Sequence, residues 1–461
     1  MKIDKVIDNG SSHLTLLFAG WGMDAGIVSG ITHQAGDLAI VYDYRCISDF
    51  PASILDSYSQ ISVIAWSFGV YAASRILAPY SHLISRRIAV NGTTRPIDDT
   101  QGIPEAIYSG TLANLNESNL LKFYRRMCGS ASKFTEFIKL RPQRDLKDLI
   151  EELSCFGSYT TACPEAEFRW DFAIVGTADA IFPAQAQLLA WRKSGAKIIT
   201  TDDAHLPSLQ NVINRFIIDK RLVAERFAKA RSSYDSQSQI QRSIARRLWS
   251  LTLQHLSEPV HDILEAGSGS GYLTSLYAPV CKNAKIELWD LVDYGQQYTE
   301  QRITFCACDA EDAIKTVHPE SLDLIISAST MQWFNNPEAF INSSLMALRS
   351  GGIVALSTFS PDNLKTITDI TGTGLPVPTL QDIGNMVGDK ANILYMNEAC
   401  LDIDFESPAS MLAHLSETGV TGLHHSSPIT AIRRILSDYP RMESGKCRLT
   451  YTPIYLIARK K

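Results

Sequence analysis

The chain lacks a Cys-x-x-Cys pair, a Gly/Ser- or Pro-rich linker, an internal repeat, and any run near the roughly 20 apolar residues needed to span a bilayer. Each absence excludes something. Its nine cysteines are odd in number and scattered. The closest two, Cys306 and Cys308, alternate along an apparent strand and read as free thiols. No metal site is expected, because no His clusters with cysteines at ligand spacing. The opening Met1-Lys2-Ile3-Asp4-Lys5 is charged and no apolar core of signal-peptide length follows. A cytoplasmic protein without a membrane partner is therefore expected. A net charge of −6 argues against a general nucleic-acid binder.

What is present suffices for two domains. With 461 residues, 45% hydrophobic and 20% charged, the chain can bury two separate cores. Short apolar runs alternate with helical patterns in both halves, the signature of α/β sheets with parallel strands. In the first half Leu14–Ala19, Ile61–Ala65, Arg87–Val90, Phe172–Val175 and Lys197–Thr200 read as buried strands. The rhythm breaks over about 102–163, where a helical, basic pattern fits a cap inserted over the sheet. It stops again near Ile217–Leu222. An amphipathic helical stretch follows, Val223–Leu253, interrupted around Ser232-Ser233, and then a new strand, His261–Ala266. These shifts divide the chain into domains 1–219 and 220–461. Residues 122–147 and 220–247 each hold eight basic and two acidic side chains, as solvated helix faces or as docking faces for an acidic macromolecule.

In the second half, Ile263-Leu264-Glu265-Ala266-Gly267-Ser268-Gly269-Ser270-Gly271 is an apolar strand running into an acid and a Gly-x-Gly-x-Gly turn. Glycines there let the chain turn tightly and let a ligand approach the main chain at the strand's carboxyl end. Lys285–Asp290 is a second strand ending in an acid placed to accept ribose hydroxyls, with Asp293 as the alternative. A third, Phe305–Glu311, carries Asp309, placed to meet an adenine amino group. Leu322–Ser327 and Gly351–Leu356 follow. This order resembles the class I (Rossmann-like) S-adenosylmethionine-dependent methyltransferases, and the resemblance covers nearly all of 223–461. It implies that Glu265, Gly267, Gly269, Gly271, Asp290 and Asp309 bind the cofactor.

In the first half, Ser62–Val70 runs from a strand through a sharp turn into a helix and resembles the Gly-x-Ser-x-Gly nucleophile elbow, with Ala65 for the first glycine. Ser67 is the nucleophile of that reading, in an α/β-hydrolase with a helical cap. An oxyanion hole needs two backbone N–H groups. Phe68 supplies one and the loop Phe18–Met23 the other, with Trp21 as the donor. Asp179 and His205 each follow a late strand, in the chain order that the triad requires. Asp202 and Asp203 are alternatives to Asp179, though they share one loop with His205.

Narrower resemblances rest on longer segments. Phe18–Gly22, Ala65–Val70, Val90–Thr93, Asp98-Asp99, Gly102–Pro104 and Arg125–Gly129 together resemble the BioG type of pimeloyl-acyl-carrier-protein methyl ester esterase, over most of 1–218. Phe227–Ala230 with Ser233–Asp235, the Glu265–Gly271 loop, Gln332-Trp333, Thr418–Gly422 and Leu449–Tyr455 resemble the BioC type of malonyl-acyl-carrier-protein O-methyltransferase. The resemblance implies a fusion of two steps of biotin synthesis, acting on acyl carrier protein as the partner. Carrier proteins are acidic, so both basic stretches are candidate docking faces, with Lys122, Arg125 and Arg126 preferred. Tyr234 is a candidate to close over the cofactor, and Gln332 and Trp333 to border the acceptor site. A long apolar channel to Ser67 is expected, so that acyl length separates the two reactions. Two rival readings stay open: a tailoring fusion acting on small acids, and a methyltransferase preceded by an inactive carrier-binding scaffold.

Overall fold

Strands buried on both faces need continuous apolar runs, and the chain supplies such runs in two groups. The computed structural model describes the whole chain except residues 163–166, 257–258, 295–297, 299, 373 and 419–427, with the side chains of 232–237 and 428 also outside the description. Two compact units result, Met1–Ile213 and Asn214–Lys461. The division falls inside the helix Leu209–Phe216, a few residues before the junction expected near 219. Among the described residues no helix is long and apolar enough to cross a membrane.

The first unit is built on β1 (Lys2–Ile7), β2 (His13–Phe18), β3 (Asp37–Tyr42), β4 (Gln60–Trp66), β5 (Ile84–Val90), β6 (Phe172–Gly176) and β7 (Lys197–Thr201). They pair in the order β1-β3-β2-β4-β5-β6-β7, all parallel except β1 against β3. Every residue of β2, β3 and β4 is buried. The edge strand β1 carries its charges outward, and Lys5 pairs with Asp37 at 2.8 Å. Between β5 and β6 the described residues form the helices Glu105–Ala113, Glu117–Cys128, Ala131–Lys139 and Leu146–Ala162, in the segment expected to form the cap.

The second unit holds β8 (Asp262–Ala266), β9 (Lys285–Asp290), β10 (Ile303–Ala307), β11 (Leu322–Ala328), β12 (Leu348–Phe359), β13 (Ala391–Glu398), a small pair β14 (Leu401–Phe405) and β15 (Cys447–Tyr451), and β16 (Pro453–Lys460). The main sheet runs β10-β9-β8-β11-β12-β16-β13, with β16 antiparallel to both neighbours. Two expected boundaries move. The long helical stretch is two helices, Lys220–Gln237 and Gln239–His255, broken at Ser238 rather than at 232–233. The third strand ends at Ala307, because Asp309 starts a helix by accepting the Glu311 N–H at 3.0 Å.

Both sheets reverse their winding beside a central strand: between β2 and β4 in the first, between β8 and β11 in the second. Neighbouring loops diverge there at the carboxyl ends of the strands and leave a crevice. The Gly20 and Ser67 loops flank the first crevice, and the Gly267 and Thr330 loops flank the second.

Candidate active sites

In the first crevice the strand-to-helix turn forces Ser67 into a positive φ of 61°. The turn is possible because its neighbours are small. A Cβ on Gly69 would lie 2.4 Å from the Phe18 carbonyl oxygen, and one on Gly92 would lie 2.3 Å from that of Ser67. Ser67 heads the helix Phe68–Leu77, so the Phe68 N–H belongs to the first turn, which has no intrahelical acceptor. His205 Nε2 is 2.9 Å from Ser67 Oγ, and His205 Nδ1 is 2.8 Å from Asp179 Oδ2. All three side chains are buried. Asp179 also accepts the N–H groups of Ile181 and Phe182 and the Gln187 amide, at 2.8, 2.9 and 3.0 Å, which fixes the carboxylate's orientation. Asp202 is exposed and Asp203 pairs with Lys133 at 3.0 Å, so neither replaces Asp179.

Three residues outside the expected set hold this relay. Asn91 donates to the carbonyls of Ala204 and His205 at 2.9 and 3.0 Å, and accepts the Gly176 N–H at 2.7 Å. Phe182 stacks on the imidazole, with ring centroids 5.8 Å apart. Gln187 supports Asp179. The Asn91-Gly92 segment was visible as a motif, but its role depends on partners 85 residues or more away.

A cavity of about 600 Å³ opens on Ser67 and His205. Trp21 and Phe68, the expected oxyanion donors, line it together with Ile103, Ile107, Phe123, Met127, Leu153 and Ile181, a mostly apolar wall. Arg126 stands on the same wall. Lys122, Arg125 and Arg126 are exposed on the cap helix Glu117–Cys128, at the three- and four-residue spacings that share a face. Other bases of this stretch are committed elsewhere: Lys133 to Asp203, and the buried Arg144 to Glu152 at 2.7 Å.

In the second crevice a cavity of about 640 Å³ is lined by Gly267, Gly269, Asp290, Asp309, Ser329, Thr330 and Trp333, with Lys220 and Phe227 from the first helix of the unit. Gly267 has φ +76° and no room for a side chain, since a Cβ would sit 2.0 Å from Thr330 Oγ1. Gly269 N–H donates to Asp290 Oδ2 at 2.8 Å and Val292 N–H to Oδ1 at 2.9 Å, which aims Asp290 along the wall. Burial pushes the Asp290 carboxyl up, against these hydrogen bonds. The alternative, Asp293, is exposed and off the wall.

Two expected ligands are displaced. Glu265 does not line the cavity. It lies 1% exposed, accepting the hydroxyls of Thr274 and Tyr277 at 2.6 and 2.7 Å, and burial pushes its carboxyl up to about 8. Alternation along β8 turns it into the helix that follows, so it supports the loop from beneath. Gly271, at φ +77°, starts that helix and is also off the wall.

Lys220 departs from the docking face expected of residues 220–247. Its half-buried side chain pairs with Asp309 at 3.1 Å and Glu311 at 2.8 Å. Burial would push the Glu311 carboxyl up, yet Lys220 holds it below the ordinary carboxylate range; for Asp309 burial prevails. Trp333 lines the cavity, while Gln332 is buried off the wall and donates to the Ser329 carbonyl at 2.5 Å. The Tyr234 side chain and residues 419–422 lie outside the described residues. Among the described residues no group of three His, Cys, Asp or Glu is placed to hold a metal.

Comparison with known proteins matches residues 1–210 to the model of pimeloyl-ACP methyl esterase BioG and 264–356 to a methyltransferase domain. A malonyl-[acyl-carrier protein] O-methyltransferase of Bacteroides fragilis is 38% identical over 97% of this chain and 92% of its own. One of Haemophilus influenzae is 34% identical over 52% of this chain and 95% of its own. The crystal structure of BioG from Haemophilus influenzae is 35% identical over 44% of this chain and 94% of that one, with a TM-score of 0.41. The chain belongs to the family of malonyl-[acyl-carrier protein] O-methyltransferases, in a form that carries a BioG-type esterase domain ahead of the methyltransferase domain.

Proposed function

We propose that the chain is a bifunctional enzyme of biotin synthesis: its second unit methylates the free carboxylate of malonyl-acyl carrier protein, and its first hydrolyses the methyl ester of pimeloyl-acyl carrier protein. The observation that carries the hydrolytic half is the unbroken relay from Ser67 through His205 to Asp179. Ser67 Oγ attacks the ester carbonyl as His205 Nε2 takes its proton, and the imidazolium is stabilised by Asp179. Negative charge on the former carbonyl oxygen is met by the N–H groups of Trp21 and Phe68. His205 returns the proton to the departing methoxide oxygen, which leaves as methanol, and water repeats the cycle on the acyl-serine.

The second unit needs no such relay, because a carboxylate acceptor is already ionised at neutral pH. Its residues fit S-adenosylmethionine: the open space at Gly269 lets a ligand approach the main chain, and Asp290 and Asp309 offer acceptors for ribose hydroxyls and an adenine amino group. That cofactor supplies a methyl group made electrophilic by a sulfonium. The protein's part is to seat the acceptor in line and exclude water. Lys220 balances the two acids beside it.

A methyl-adding and a methyl-removing site in one chain must not act on the same ester. Pimeloyl exceeds malonyl by four methylenes, at about 0.8 kcal/mol each. Seating them on the apolar wall beside Ser67 is worth roughly 3 kcal/mol, on the order of a hundredfold. The acidic carrier docks on Lys122, Arg125 and Arg126 in this reading, and the setting is the cytoplasm. Mass spectrometry of the two acyl carriers tests both halves. The malonyl form should gain a methyl group only with S-adenosylmethionine present, and the pimeloyl methyl ester should lose one without it. Methylation of free malonate at equal rate, or no change in either carrier, contradicts the reading.

A further inference from the structure

The hydrolytic relay leaves one fully buried carboxylate unused. Glu152, on the cap helix Leu146–Ala162, has no exposed surface. Its Oε1 accepts the Tyr44 N–H at 2.8 Å, and its Oε2 accepts the Gly22 N–H at 3.2 Å and Arg144 at 2.7 Å. Arg144 reaches on to Asp43 at 3.0 Å. Burial pushes the Glu152 carboxyl up, and Arg144 opposes it. A buried ion pair is weak evidence for stability, since apolar side chains of like volume serve as well. Its contacts point to another role.

Gly22 belongs to the loop that passes the nucleophile. Met23 N–H donates to the Gly20 carbonyl at 3.3 Å, closing a turn with Trp21 and Gly22 at its centre. Gly22 has φ +75°, the positive value a type II turn requires at that position. The Trp21–Gly22 peptide is the unit whose orientation separates type II from type I. Glu152 accepts its N–H; flipped, that peptide would turn a carbonyl toward the carboxylate. A second anchor comes from the same cap helix, where the Leu149 carbonyl accepts the Trp21 indole N–H at 2.9 Å. A Cβ on Gly20 would lie 3.1 Å from Ser67 Cβ and 3.5 Å from Oγ, so the turn runs directly beside the attacking atom.

We propose that Glu152 is a positioning residue for ester hydrolysis: by holding the Gly22 N–H it fixes the turn immediately after the Gly20–Trp21 peptide, whose N–H is the oxyanion donor, so that donor is held in place only with the cap helix seated. The inference rests on the triad reading. Glu152 does not line the acyl cavity, so its loss acts on the reacting oxygen and leaves the acyl wall intact.

The test uses the full chain with p-nitrophenyl butyrate as probe, and Ser67→Ala as reference. Glu152→Gln keeps the acceptor toward Tyr44 but presents an amide where the Gly22 N–H and Arg144 converge. Its kcat should fall about 100-fold with KM within about threefold. Trp21→Phe keeps the backbone N–H but loses the indole donor and some of the cavity wall, so kcat rather than KM is its readout; kcat should fall about tenfold. A Glu152→Gln protein that melts cooperatively and keeps kcat within about threefold of the parent overturns the proposal. Where Glu152→Gln does not fold, Trp21→Phe decides by the same criterion. Hydrolysis by Ser67→Ala at the parental rate would instead overturn the triad reading beneath it.

Discussion

The two units place their sites at the same point of a similar sheet, yet they equip it differently. In the first, side chains do the chemistry: Ser67, His205 and Asp179 arrive from three separate loops and meet within 2.9 Å of one another in sequence of transfer. In the second, the main chain shapes the site, through Gly267, which admits no side chain, and Gly269, whose N–H helps to orient Asp290. The difference follows the reactions. A neutral hydroxyl must be activated before it attacks an ester, whereas an ionised carboxylate need only be held in line. One half depends on proton relay, the other on shape.

If that contrast holds, single substitutions should disable one activity and leave the other. The largest effect is expected of Ser67→Ala, which should lower methyl ester hydrolysis at least about 1,000-fold while methyl transfer stays within about twofold. Residual hydrolysis near the parental rate would place the nucleophile elsewhere. Next comes Gly267→Ala, which drives a Cβ against Thr330 at a strained positive φ. Calorimetry with S-adenosylhomocysteine should show affinity reduced at least about 100-fold, with hydrolysis unchanged. Asn91→Ala releases the His205 loop without touching the relay itself. Its kcat for esters should fall about 10- to 100-fold at nearly constant KM; a change confined to KM would contradict the positioning role.

The smallest effect concerns stability. Glu265 titrates near 8 in the folded chain against an ordinary 4.5. Because the folded value is raised, the unfolded chain releases this proton first as pH rises. The stabilisation is complete below about 4.5 and is lost progressively toward pH 8. Glu265→Gln removes the titration, so thermal melts between pH 5 and pH 8 should decline less steeply, by about a few degrees. Identical slopes in parent and variant would show that Glu265 ionises normally.

How much was legible follows the same division. Ser67 and the glycine loop sit in short contiguous segments, where spacing alone limits what the chain can form. Asp179 and His205 were readable because each ends a strand in the order a triad demands. Asn91, Glu152 and Lys220 were not, since each owes its role to a partner 85 or more residues away. Glu265 shows the opposite failure: its place before the glycines suggested a ligand, but strand alternation buries it under the following helix. The strand β3 is not among the strands read from the sequence, although it is fully buried and its run Leu38–Tyr42 is as apolar as those that are. The exposed edge strand β1 offered only a weak alternation.

Acyl length is what must keep the two reactions apart. The ratio of kcat/KM for hydrolysis of pimeloyl methyl ester to that of malonyl methyl ester, both on the same carrier protein, should be at least on the order of 100. A ratio near one would mean that the apolar wall beside Ser67 does not measure chain length, and that nothing in this site keeps the two reactions from undoing each other.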